Sequence, residues 1–125
     1  MNAAAVRHLQ AADGLNVGHR RDVAGYLYGI AAECALKAMM IDAGMRPSAD
    51  KRNDPFYQHF PALKNSLLDA MHGRQSQMLG RFASNPAFMS QWEIKMRYCK
   101  GGEIKPEWVT AWSIQARDIV GAIGT

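Results

Sequence analysis

The chain has 125 residues, 48% hydrophobic and 21% charged, with a formal net charge of +4 and a pI near 9.3. That length carries one domain, 1–125, with a core of its own, and the mild basicity admits an anionic partner without requiring one. Two cysteines, Cys34 and Cys99, exclude a disulfide framework, and neither has the neighbouring thiol a zinc site needs.

No metal site or cofactor is expected. No stretch approaches about twenty uncharged apolar residues, so no membrane-spanning helix and no membrane partner are expected. The first residues lack the apolar run of a secretory signal, and the expected location is the cytoplasm.

Residues 2–12 read as an alanine-rich helix, broken by Asp13, Gly14, Asn16 and Gly18 in a kink or short turn. A long second helix runs from about His19 to Ala43. Its Val23, Leu27, Ile30, Cys34, Ala38, Ile41 and Met45 follow helical spacing and predict an apolar stripe. On that stripe Cys34 reads as a small core residue. Gly25, Gly29, Ala32 and Ala35 place small residues at three- and four-residue intervals, which lets a second helix approach closely. Glu33 and Lys37 stand four apart in the favourable order for an intrahelical ion pair. Gly44 suits the position just past the helix end, and Pro47 enforces the stop.

Residues 46–58 read as an exposed loop. A third helix follows over about 61–72, with Pro61 in its first turn and Leu63, Leu67, Leu68 and Met71 on its apolar face; Gly73 ends it. A short helix over 74–83 carries Met78, Leu79 and Phe82. Asn85-Pro86 signals another helix start, yet 86–98 satisfies both helical and strand spacing. Residues 100–103 form a turn. Pro106 opens the last helix, with Trp108 or Val109, Trp112, Ile114, Ile119, Val120 and Ile123 as apolar positions. The predicted class is all-α: a compact up-and-down bundle of four to five helices around a long central second helix.

Several pieces together resemble the HEPN superfamily, the higher eukaryotes and prokaryotes nucleotide-binding domain. They are Arg7-His8-Leu9, Arg20-Arg21, Ala24-Gly25-Tyr26-Leu27, Gly29 through Lys37, His59 before an apolar helix, and Trp92 to Arg97-Tyr98 before the final helix. The resemblance implies a helical bundle that commonly dimerises. It implies work as a toxin-like ribonuclease, as a helical partner of a nucleotidyltransferase or effector protein, or as an RNA- or nucleotide-binding module in toxin–antitoxin and defence systems. One scaffold carries all these roles, so the fold does not choose among them.

Catalytic members of the superfamily are metal-independent endoribonucleases with four to six residues between an Arg and the His that follows it. The histidine moves protons near neutral pH and the arginine stabilises charge on the phosphate. Arg52 and His59 have this spacing, with the polar Asn53 after the arginine. Nine arginines and four histidines in this chain produce about one such match by chance. The family places the motif at the start of a late helix, where this chain has Arg97 and Tyr98 with no histidine after them. Pro55 also keeps Arg52 and His59 off one regular helix.

The expected binding residues are Arg20, Arg21, Glu33, Lys37, Arg97 and Tyr98. Arg97 can grip a phosphate and Tyr98 can stack on a base; the competing arrangement puts Tyr98 and Trp92 in the core beneath the Arg97 stem. The leading expectation is a non-catalytic binding module for RNA, a nucleotide or a cognate protein, working as a homodimer. The alternatives are a ribonuclease using Arg52 and His59, and a helical subunit of a nucleotidyltransferase or effector complex.

Overall fold

A computed structural model describes residues 2–52, 54–71, 77–98 and 101–124. They form an all-α bundle of five helices: α1 (Asn2–Val17), α2 (Arg21–Asp42), α3 (Ala62–Met71), α4 (Gln77–Ala83) and α5 (Pro106–Ala122). The long α2 is central and packs against α1, α5 and α4. His72, Gly73, residues 74–76, Cys99 and Lys100 lie outside the described residues.

The expected break after residue 12 does not occur; α1 continues to Val17. The reason is tertiary. Asp13 accepts hydrogen bonds from the Tyr28 hydroxyl at 2.6 Å and the Arg117 guanidinium at 2.7 Å. It therefore joins α1 to both α2 and α5 instead of turning the chain locally. The turn comes later, where His19 takes a left-handed φ of 65° and the Arg20 N–H reaches back to the Leu15 carbonyl at 2.8 Å. At the far end of α2, Gly44 has φ 92°. Its N–H donates to the Ile41 carbonyl and that of Met45 to the Met40 carbonyl, the Schellman pattern.

The buried face of α2 differs from the expected stripe. Ala24, Tyr28, Ala31, Ala32, Ala35, Leu36, Met39 and Met40 are buried, as are Ala38 and Met45. Val23, Leu27, Ile30 and Cys34 are only half-buried, and Ile41 is exposed. Small residues win the core side because bulky rings press onto it. An added Cβ at Gly25 would lie 3.0 Å from the Trp112 ring, and one at Gly29 only 1.9 Å from the Trp92 indole. Tryptophan side chains thus fill the notches that the spacing assigns to a second helix. In the same way Leu68 and Ile114 face solvent although their spacing placed them on apolar faces.

Residues 84–98 form neither an α-helix nor a strand. Asn85 makes the expected capping bond, its side chain accepting from the Ala87 N–H at 3.0 Å, but the helix is aborted by left-handed residues Met89 (φ 55°) and Gln91 (φ 72°). Side chains from two helices, α3 and α5, satisfy this irregular backbone. Lys64 donates to the Asn85 and Phe88 carbonyls. Gln115 accepts from the Met89 N–H and donates to the Ala87 carbonyl, and the Trp112 indole donates to the Ser90 carbonyl. These bonds replace those a helix would supply. A 3₁₀ turn, Ile94–Tyr98, then leads through a second, Gly101–Glu103, to α5.

The 46–58 loop is exposed only in part. Asp54, Pro55 and Phe56 are buried. The Asp54 carboxylate accepts from the backbone N–H groups of Ser48 and Phe56, and Pro55–Tyr57 closes a 3₁₀ turn. This order places His59 and Phe60 against α2.

The glycines of this fold answer differently to a methyl group. Gly14 has open space around its missing side chain, so Gly14→Ala is expected to stabilise by about 0.5–1 kcal/mol. Gly29→Ala is expected to cost about 2 kcal/mol or more despite its better helix propensity, because a rigid indole must move. Gly25→Ala falls between them. Urea titrations of the three variants check the ranking; a Gly29→Ala protein as stable as wild type would remove the Trp92 contact as a constraint.

Candidate functional site

The eight residues singled out in the sequence separate into two polar groups and one isolated side chain. The first group lies midway along α2. Glu33 is 3% exposed. One of its oxygens is 2.8 Å from His59 Nδ1, and the other accepts from the Phe60 N–H at 2.7 Å. A carboxylate partner puts the proton on Nδ1 and leaves Nε2 to the outside, and the ring is 48% exposed. His59 also precedes α3, its carbonyl accepting from the Leu63 N–H at 2.8 Å.

The expected Glu33–Lys37 ion pair does not form, because both carboxylate oxygens are taken by residues 59 and 60. Lys37 acts on Glu33 through its charge alone. Only 8% of Lys37 is exposed, and no buried side-chain nitrogen or oxygen among the described residues lacks a partner. Its stem is therefore covered while its ammonium emerges. Burial pushes the Glu33 carboxyl above its ordinary range. The hydrogen bonds from His59 and Phe60 and the charges of His59 and Lys37 pull it back in part. Burial also pushes the half-buried Cys34 thiol up, which keeps it in the less reactive neutral form.

Arg52 stands apart. Its side chain is highly exposed and lies 3.8 Å from Asp50. No hydrogen bond or ion pair joins it to His59 among the described residues, although its carbonyl accepts from Gln58, the neighbour of His59.

The second group gathers at the start of α2, where the turns of 94–98 and 101–103 meet it. The expectation that Trp92 is core holds; Tyr98 instead is 78% exposed. The Arg97 guanidinium stacks over the Tyr98 ring at 4.9 Å. Arg97 also lines a cavity of about 150 Å³ with Asp22, Val23, Tyr26, Met96 and Ile104. A wider depression of about 530 Å³ adjoins it, sharing Asp22 and Ile104 and adding His19 and Arg21. Arg20 lies beside them, its Nε 3.6 Å from Asp22. Folding thus brings Arg20, Arg21, Arg97 and Tyr98 to one face, about 18 Å along the helix axis from Glu33 at 1.5 Å per residue.

Asp22 and Tyr26 are absent from the expected binding residues. Asp22 looks like an ordinary first-turn acid, and Tyr26 like an ordinary half-buried ring. Only the packing of Met96, Arg97 and Ile104 against them makes a cavity. Among the described residues no cluster of histidine, cysteine or carboxylate side chains is arranged to hold a metal ion, and no helix is long and apolar enough to cross a membrane. Comparison with protein-family models, with curated proteins and with solved structures returned no match.

The raised Glu33 pKa has a definite sign in stability. Its contribution is fully present below the ordinary value near 4.5 and is lost as pH rises through the folded value. Glu33→Gln removes this titration. The unfolding free energy of wild type minus that of the variant should therefore fall as pH rises from the ordinary carboxyl value through the raised folded one. A difference that rises over that window would mean that the paired carboxylate, not its burial, dominates.

Proposed function

We propose that the chain is a non-catalytic HEPN-like module that binds RNA through the face formed by Arg20, Arg21, Arg97 and Tyr98. The observation that carries this reading is the exposed Arg97–Tyr98 stack at the rim of a cavity. A largely exposed tyrosine ring is a platform for a base, and the arginines beside it supply phosphate contacts. The net charge of +4 favours the same class of partner. As in the superfamily it resembles, the module works as a homodimer in the cytoplasm; the half-exposed ridge of Val23, Leu27, Ile30 and Cys34 on α2 supports a second copy as partner.

A second reading is metal-independent RNA cleavage. The carboxylate-oriented His59 favours it, because a buried Glu33 holding Nδ1 leaves Nε2 available for proton transfer. Arg52 contributes no contact to this histidine.

Fluorescence anisotropy with a labelled single-stranded RNA tests the binding reading. Tyr98→Ala should weaken binding by roughly 5- to 100-fold, the worth of one stacked base. Arg21→Ala should lower the magnitude of the log–log salt slope by about 0.7, with Arg52→Ala unchanged. Wild-type binding that neither variant alters would remove this face from the function. Incubating wild type and His59→Ala with mixed RNA in EDTA tests the second reading; cutting by wild type alone would establish it, and no cutting would leave the binding module.

A further inference from the structure

The small cavity at the start of α2 has one carboxylate, one guanidinium and apolar walls, and this combination is selective. Its volume of about 150 Å³ is well below the roughly 300–1,000 Å³ of a site that encloses a whole drug-sized ligand. It suits a flat heterocycle whose sugar and phosphate stay outside. Val23, Met96, Ile104 and the Tyr26 ring make the walls. Tyr26 is braced from behind by its stack on Trp92, with ring centroids 5.9 Å apart and planes 21° from parallel.

The two polar groups on this wall are not spent on each other. Arg97 has no ion pair among the described residues, and its stacking partner is Tyr98. Asp22 has the Arg20 Nε at 3.6 Å, beyond hydrogen-bond length, so its oxygens remain open to donors. A ligand that fits must offer adjacent donors to a carboxylate and acceptors to a guanidinium.

Among the nucleobases, only guanine offers both. Its N1–H and N2–H lie side by side and match the two oxygens of a carboxylate. Its O6 and N7 are the acceptor pair that arginine engages. Adenine and cytosine each present a ring-nitrogen acceptor beside their amino group, which would face the carboxylate unfavourably. Uracil has a single N–H between two carbonyls. Buried polar groups left unpaired by the wrong base are what make such a pocket discriminate.

We propose that this cavity recognises a guanine base of a single-stranded RNA, with Asp22 accepting from N1–H and N2–H, Arg97 donating to O6 and N7, and the phosphate lying toward Arg21 and His19. This inference rests on the RNA-binding reading and adds a base preference to it.

The test is anisotropy titration of wild-type protein with labelled hexaribonucleotides of one background, whose central base is guanine, hypoxanthine, 7-deazaguanine, adenine, cytosine or uracil. The guanine hexamer should bind roughly 5- to 100-fold more tightly than the adenine one. Hypoxanthine, lacking the N2 donor, and 7-deazaguanine, lacking the N7 acceptor, should fall between. Asp22→Asn, whose amide offers one donor and one acceptor, should erase the preference of guanine over hypoxanthine and narrow that of guanine over adenine. The base analogues keep the test valid even if that variant folds poorly. Equal binding of all six hexamers, still dependent on Arg97 and Tyr98, would overturn the guanine assignment and leave the RNA-binding reading standing. Binding of none would overturn both.

Discussion

Everything on the long face of this bundle depends on one close approach: the Trp92 indole lies where a Gly29 side chain would be, and its N–H donates to the Gly25 carbonyl at 3.0 Å. Burying a tryptophan removes about 150–250 Å² from water, worth an upper bound of about 4–6 kcal/mol. That sum is enough to anchor a segment that has no helix of its own. Around the indole gather Tyr26 in a stack and Phe60 edge-on, with Phe88 edge-on to Phe60. The cluster joins α2, the entry to α3 and the irregular 84–98 segment into one aromatic centre.

Both polar groups are consequences of that centre. Phe60 packs against Trp92, and its N–H is one of the two donors on Glu33. His59 supplies the other, so the imidazole is oriented by the backbone that delivers Phe60. On the opposite side, Tyr26 is both a partner of Trp92 and a wall of the small cavity. The chain emerging from Trp92 turns tightly through Ile94–Tyr98 and presents Arg97 and Tyr98 at the start of α2. The buried carboxylates Glu33 and Asp54 serve alike as acceptors for loop N–H groups that no helix satisfies.

The two groups also differ in what they can do chemically. Glu33 and His59 are joined, partly buried and suited to holding or moving a proton. The Asp22–Arg97–Tyr98 face is open, charged at both signs and flanked by arginines, which suits recognition. A binding role draws on the second group and needs nothing from the first. There the Glu33–His59 contact has a sufficient structural purpose: it fastens the end of the 19-residue connection between α2 and α3 to the central helix.

The sequence by itself determined the all-α class, the long central helix, its end at Gly44 and the opening of the last helix at Pro106. These are local matters of periodicity, glycine at positive φ and proline at a first turn, and each is written within a few residues. It also marked most of the residues that line the two polar groups. Only the tertiary structure decided the rest. Asp13 reads as a helix breaker until Tyr28 and Arg117 bind it. Asn85-Pro86 reads as a helix start until Lys64, Gln115 and Trp112 capture the backbone that follows. Gly25 and Gly29 announce a close approach without saying that the visitor is a tryptophan ring from more than sixty residues away. Glu33 favours Lys37 by spacing, yet takes His59 and Phe60 because an aromatic cluster holds them within reach. Partners distant in sequence leave no periodic signal, so their competition with local preferences is settled only when the core closes.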